Sequence, residues 1–139
     1  DRQVELRQGD AFMYCDTAII EENDVVAYGN VIIQQGDSLN VFADSVVYLG
    51  DSRTADLFGD VILETNEQRL FTNELNYQLD TKTATYFSGA LLANEQTQLT
   101  SKRGYYYVDE KTAYLKDSVV VIDDEFSLQA DTLQFNTES

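Results

Sequence analysis

The chain has 139 residues, 25 acidic against 9 basic, a formal net charge of -16, and neither proline nor histidine. Without histidine there is no Ser-His-Asp triad, no Cys-His pair and no His-ligated metal site; without surplus cations nothing neutralises nucleic-acid phosphates, so no nucleic-acid partner is expected. At 43% hydrophobic and 12% aromatic it is too apolar for a disordered acidic tail, and the length suits one domain spanning 1–139.

The N-terminal stretch begins at Asp1 without a methionine or a signal segment, so a mature chain or a piece of a longer repeat protein is expected. No apolar run approaches the 18 residues of a membrane span, which predicts no transmembrane segment. The single cysteine, Cys15, lies beside Asp16 in an alternating segment and reads as a buried or half-buried thiol; alone it does not identify a redox compartment. Further along, Y-x-x-D-x-[RK]-T-A recurs without a gap. It runs from Tyr48 to Ala55, from Tyr77 to Ala84 and from Tyr106 to Ala113, at a spacing of 29 residues both times. Apolar columns accompany it: Val41/Leu70/Leu99/Leu128, Val61/Ala90/Val119 and Leu63/Leu92/Val121. A shorter first copy runs from Cys15 to Ile33, and a final copy stops near Phe135.

Each unit reads as two strands. The second alternates strictly, with Ala55, Leu57, Gly59, Val61 and Leu63 on one face, the mark of a half-buried strand. The first changes parity at Asp44-Ser45, so Val41 and Ala43 share a face with Val46 and Tyr48 only if a bulge or corner lies there. In the connecting Asp-x-[Arg/Lys]-Thr step, Asp is expected to bond backbone N–H groups two residues on, and the basic residue to offset that carboxylate locally. The other connections are Gln35-Gly36-Asp37, Thr65-Asn66-Glu67, Asn94-Glu95-Gln96 and Asp123-Asp124-Glu125. No segment has the 3.6-residue apolar period of a helix, so the expectation is all-β, roughly ten strands. The missing prolines fit this, because a proline inside a ladder removes a donor.

The unit Val41-Phe42-Ala43-Asp44-Ser45-Val46-Val47-Tyr48, followed by Gly59-Asp60-Val61-Ile62-Leu63 and preceded by Gly29-Asn30-Val31-Ile32-Ile33, resembles the OstA/LptA family over about Phe12 to Phe135. The resemblance implies an open, twisted antiparallel β-jelly roll of about four to five 28–29-residue repeats. It implies a periplasmic protein of lipopolysaccharide transport in a Gram-negative bacterium, neither an enzyme nor a cofactor binder. Its apolar interior would carry acyl chains of lipopolysaccharide or another acylated lipid. Its edge strands, around Gln3–Arg7 and Phe126–Phe135, would contact further copies or other transport proteins. This chain departs from the pattern at Lys102 and Gly104, where Asp and an apolar residue are lost, and at Asp117, which replaces Gly.

On that reading the lipid-binding residues are Val46, Tyr48, Leu57, Val61, Leu63, Leu75, Tyr77, Tyr86, Leu92, Tyr106, Leu115, Val119 and Val121. The same residues also serve as a packed sheet interior, and sequence alone leaves both open. The repeated Asp51/Asp80/Asp109 and Arg53/Lys82/Lys111 columns read as turns, because an enzyme needs one site and not one per repeat. The acidic runs Glu21-Glu22-Asn23-Asp24 and Asp123-Asp124-Glu125 match no EF-hand loop and read as solvated turns. The rival functions are a β-scaffold that joins other periplasmic or outer-membrane components edge to edge without lipid, and a carbohydrate binder, which would favour aromatics on an outer face.

Overall fold

In the computed structural model, residues 4–8, 10–36, 39–66 and 68–136 are described, and among them there is no helix. Gln3, Asp37 and Glu67, assigned above to an edge and two turns, lie outside them. The strands are β1 (Val4–Gln8), β2 (Ala11–Cys15), β3 (Thr17–Glu21), β4 (Asp24–Gln35), β5 (Leu39–Leu49), β6 (Thr54–Glu64), β7 (Arg69–Gln78), β8 (Thr83–Tyr86), β9 (Ala90–Ala93), β10 (Thr97–Ser101), β11 (Arg103–Tyr107), β12 (Thr112–Asp123) and β13 (Ser127–Asn136). All pairings are antiparallel, in one sheet that runs from β1 to β13. Three passes are interrupted midway, as β2/β3, β8/β9 and β10/β11, so the thirteen strands trace the ten passes that the repeat predicts.

The interruptions and the bulges fall in one line. Register shifts lie between Tyr28 and Val31, Phe42 and Ser45, Phe58 and Val61, and Lys116 and Val119. Along this line the sheet folds over into two facing layers. One layer holds β3, residues 24–28, 45–49, 54–58 and 74–78, β8, β11 and residues 112–116. The other holds β1, β2, residues 31–35, 39–43, 61–64 and 69–72, β9, β10 and residues 119–123.

The corner is made by consecutive left-handed residues: Gly29 and Asn30 (φ 82° and 48°), Gly59 and Asp60 (85° and 45°), Asp117 and Ser118 (65° and 58°). Gly, Asn and Asp enter this region most readily. At Gly29 the facing strand also requires glycine, since a Cβ there would sit 2.7 Å from Asp16 Oδ2. Asn30 Nδ2 donates to the same carboxylate at 3.0 Å, and the Asp16 N–H donates to Gly29 O at 2.9 Å. The result is the parity predicted above. Ala43 and Val46 are both buried across the corner of β5, while Leu57, Val61 and Leu63 stay in phase across the corner of β6.

The turns depart from expectation. The basic residue of Asp-x-[Arg/Lys]-Thr takes the left-handed position, φ 52° at Arg53, 51° at Lys82 and 54° at Lys111. At Arg53 and Lys82 its partner is not its own aspartate but the next repeat's. Arg53 Nε meets Asp80 Oδ1 at 2.5 Å and Lys82 Nζ meets Asp109 Oδ1 at 3.5 Å, while Asp51 accepts from Asn23 Nδ2 of the first copy at 2.9 Å. The backbone follows the same ladder: the Leu79 N–H donates to Arg53 O at 2.9 Å and the Val108 N–H to Lys82 O at 3.0 Å. A long basic side chain leaving an αL residue reaches the adjacent turn, and successive units are tied there.

The irregular third unit is internally compensated. Lys102-Arg103 replaces the acidic side of the corner and Asp117 the glycine side, and Arg103 Nε bonds Asp117 Oδ2 at 2.5 Å. Gly104 leaves the volume that Tyr86 fills where other repeats have Leu57 and Leu115; the two are direct cross-strand partners. A Cβ at Gly104 would lie 2.5 Å from the Tyr86 hydroxyl oxygen, and that hydroxyl forms a short hydrogen bond with Ser101 Oγ. Gly104→Val should therefore destabilise the chain by about 1–3 kcal/mol through overpacking. Gly104→Val with Tyr86→Leu should recover much of that loss, because Leu opposite Val is the Leu57–Val46 arrangement. Urea midpoints of the wild type, both single variants and the double variant measure this, and strictly additive losses would contradict it.

Candidate functional site

Every residue assigned above to lipid binding faces the space between the layers and is buried. Leu57, Leu63 and Tyr77 are fully enclosed, and Val46, Val61, Leu75, Tyr86, Leu92, Tyr106, Leu115, Val119 and Val121 join them in one core. A fully buried Leu contributes about 1.5–3 kcal/mol to such a core. From β7 to β12 this core is built from Leu70, Leu75, Tyr77, Tyr86, Leu92, Leu99, Tyr106 and Leu115.

At the N-terminal end the layers stand apart around a cleft of about 350 Å³. Its apolar walls are Leu6, Ala11 and Met13 from β1 and β2, Ile33 from β4, and Val25, Tyr48 and Leu79 from the opposite layer. Arg7, Glu22, Asn23 and Gly50 also border it, and Arg7 lies 5.2 Å from the centroid of the Phe12 ring, a cation–π distance. Of the residues assigned to lipid binding from sequence, Tyr48 alone borders this cleft. Apart from Leu79, its other apolar walls come from β1, β2 and β4, where the first copy of the repeat is shortest and the columns that reveal the core are missing. The alternation Ala11-Met13-Cys15 was the available signal.

Beside the cleft, Gln35 bridges the layers. It is buried at the end of β4, accepts from the Tyr77 hydroxyl at 2.7 Å, and donates through Nε2 to Asp10 Oδ1 at 3.1 Å and to Leu79 O at 3.3 Å. A polar residue in an apolar column gave no sign in the sequence of this cross-layer role. Burial is the main cause that raises the Tyr77, Tyr48 and Tyr86 phenols above the ordinary tyrosine value, with Asp109 and Asp10 adding to it at Tyr77. Cys15 is buried as expected, and burial, aided by Asp16, raises its thiol as well.

The acidic runs tie their turns to neighbouring hairpins: Asp24 Oδ1 accepts from the Gly50 N–H at 3.2 Å, and Asp123 Oδ2 accepts from Thr97 Oγ1 at 2.9 Å. The outer face carries aromatics that the sequence columns did not single out. Tyr28, Phe58 and Phe87 are exposed, each just ahead of a corner. At the edges, among the described residues, β1 pairs only with β2, β3 only with β4, and β13 only with β12. Leu128 on β13 is exposed, although it sits in the same column as the enclosed Val41, Leu70 and Leu99.

The family model of OstA-like proteins matches residues 1–131. The chain belongs to the OstA-like family. Its fold is that of solved OstA/LptA-type jelly rolls: the periplasmic lipopolysaccharide-transport component LptH of Pseudomonas aeruginosa, described as homologous to LptA, superposes with a TM-score of 0.65 at 19% identity, over 71% of this chain and 76% of that one. No curated protein matches. As an OstA-like jelly roll the chain places its apolar columns inward, and its cleft lies between the two layers, not on an outer face.

Raised tyrosine pKa values set the sign of the alkaline response. The unfolded chain releases these protons near pH 10 and the folded chain only above it, so their stabilising effect is complete below pH 10 and is lost as pH rises beyond. Thermal midpoints should fall between pH 10 and pH 11.5, less steeply in Tyr77→Phe. An equal slope in both proteins would contradict the assignment.

Proposed function

We propose that the chain is a periplasmic, non-enzymatic module that shields acyl chains of lipopolysaccharide or a related acylated lipid on the way to the outer membrane. The observation that carries this is the cleft between the layers, whose apolar walls Leu6, Met13, Ile33 and Leu79 adjoin the buried core through Tyr48. Membership of the OstA-like family and the likeness to a periplasmic transport component support it. The acyl chain lies against Leu6, Met13, Ile33 and Leu79, and the head group stays in water. Each CH₂ withdrawn from water contributes about 0.8 kcal/mol.

The net charge of -16 repels an anionic head group, and Arg7 at the cleft supplies a local cation. Hand-over to neighbouring modules would use the edges. Among the described residues no strand pairs on the far side of β1 or of β13, and the exposed Leu128 would be covered by an added strand.

Photo-crosslinkers at Ile33 and Leu79, compared with Phe87 and Ile122 on the exposed side, test the site with labelled lipopolysaccharide. Adducts should form at Ile33 and Leu79. Adducts confined to Phe87 and Ile122 would favour a surface interaction and overturn the shielding mechanism.

A further inference from the structure

The third unit departs from the repeat on its outward face as well as at its corner. Where β11 has Arg103, the matching positions of the earlier units are Ser45 and Glu74; where it has Tyr105, they are Val47 and Asn76. Tyr114 of β12 likewise stands in the column of Asp56 and Thr85, and Lys102 in that of Asp44 and Asn73. These replacements meet on one surface. Arg103, Tyr105 and Tyr107 alternate with the buried Gly104 and Tyr106, and Tyr114 and Lys116 with the buried Ala113 and Leu115. The register sets Arg103 opposite Lys116 and Tyr105 opposite Tyr114. Lys116 Nζ lies 5.4 Å from the Tyr105 ring centroid, and the Tyr107 and Tyr114 centroids are 5.5 Å apart, edge to face at 81°. Lys102 is exposed at the adjoining corner, where its N–H donates to Asp117 O at 3.1 Å. Three of the nine basic residues of the chain thus gather in one place. The corner itself uses one of them, Arg103, against Asp117.

We propose that this outer face of β11 and β12 is a binding site for a phosphorylated sugar. Lys102, Arg103 and Lys116 hold the phosphate, and Tyr105, Tyr107 and Tyr114 carry the sugar ring. The charges match: three cations face one carboxylate, Asp117, and a phosphate monoester carries about -1.5 to -2 at neutral pH. Arg and Lys both bond phosphate oxygens well. Tyrosine offers a sugar what it has on its two sides, an apolar ring for the C–H face and a phenol for the hydroxyls. Rings set edge to face leave no parallel slot for a flat nucleotide base. An extended anionic membrane would meet the whole net charge of -16, whereas a small ligand stays within about 8 Å of the patch, the reach of an exposed charge in physiological salt. The ligand lies on side chains, so the ladder bonds of β11 and β12 beneath it stay as they are. The site is on the other side of the sheet from the cleft and does not rest on the acyl-chain reading.

Ligand-observed NMR titrations with glucose 6-phosphate, glucose, inorganic phosphate and adenosine monophosphate test this on the wild type, Lys116→Gln, Tyr114→Ala and Arg69→Gln. Glucose 6-phosphate should bind the wild type more tightly than the other three. Lys116→Gln leaves the Arg103–Asp117 pair in place and should weaken glucose 6-phosphate by about threefold to tenfold. Tyr114→Ala should weaken it as well and leave inorganic phosphate unchanged. Arg69→Gln removes an equal charge outside the patch, where Arg69 pairs with Glu64, and should change nothing. Inorganic phosphate as tight as the sugar phosphate, or Arg69→Gln as damaging as Lys116→Gln, would reduce the site to a general field and overturn it. Tighter binding of adenosine monophosphate, Lys116-dependent sedimentation with phosphatidylglycerol vesicles, or no binding of glucose 6-phosphate overturns it too. Should Tyr114→Ala fail to fold, the wild-type order of the four ligands and the two charge variants decide.

Discussion

Each long pass of this chain must bend through a corner and still keep its apolar side chains on one face, and the paired left-handed residues at the corner are what allow it. Without them a strand with a period of two would carry its hydrophobic set straight on as one flat sheet, with nothing to cover it. With them the two halves of each pass face one another, and Val41, Val46, Leu57 and Leu63 enter one core. The glycine at Gly29 or Gly59, the Asn or Asp that follows and the aspartate across from it form one device: a left-handed pair closed by a carboxylate. Where the third unit loses the aspartate it also loses the glycine, and Arg103 with Asp117 closes the corner with the charges exchanged.

The second constraint is between repeats. The turn residues that look self-contained in sequence bind forward, Arg53 to Asp80 and Lys82 to Asp109, with main-chain bonds alongside. Exposed pairs of this kind contribute at most about 1 kcal/mol each. Their role is register: a slip of one strand would break the ladder and also turn the apolar columns outward.

The repeat made most of the fold legible. The parity switch at Asp44-Ser45, the steady phase of Ala55 to Leu63 and the spacing of Tyr48, Tyr77 and Tyr106 are enough to place strands, corners and inward faces. The direction of the turn ion pairs was not legible, because it depends on an αL backbone that places Arg53 and Lys82 against the following unit. The compensation of Gly104 by Tyr86 appears only when the two are seen as cross-strand partners. The site was legible in kind but not in place. Column patterns identify residues packed in the regular interior, whereas the cleft forms where the pattern is weakest, between β1–β2 and the turns near Tyr48 and Leu79. Gln35, polar and buried, takes its meaning from Tyr77 and Leu79, both more than forty residues away.

The repeat stack has a buried apolar core and, at one end, a cleft with Leu6, Met13, Ile33 and Leu79 on its walls and Arg7, Glu22 and Asn23 at its border. Hydrogen–deuterium exchange with and without saturating lipopolysaccharide tests this division most directly. Ala11–Cys15, Ile33–Gln35 and Tyr48–Gly50 should gain protection, while Leu99–Ser101 and Ala113–Leu115 stay unchanged. Protection spread evenly over the chain, or confined to β12 and β13, would contradict it.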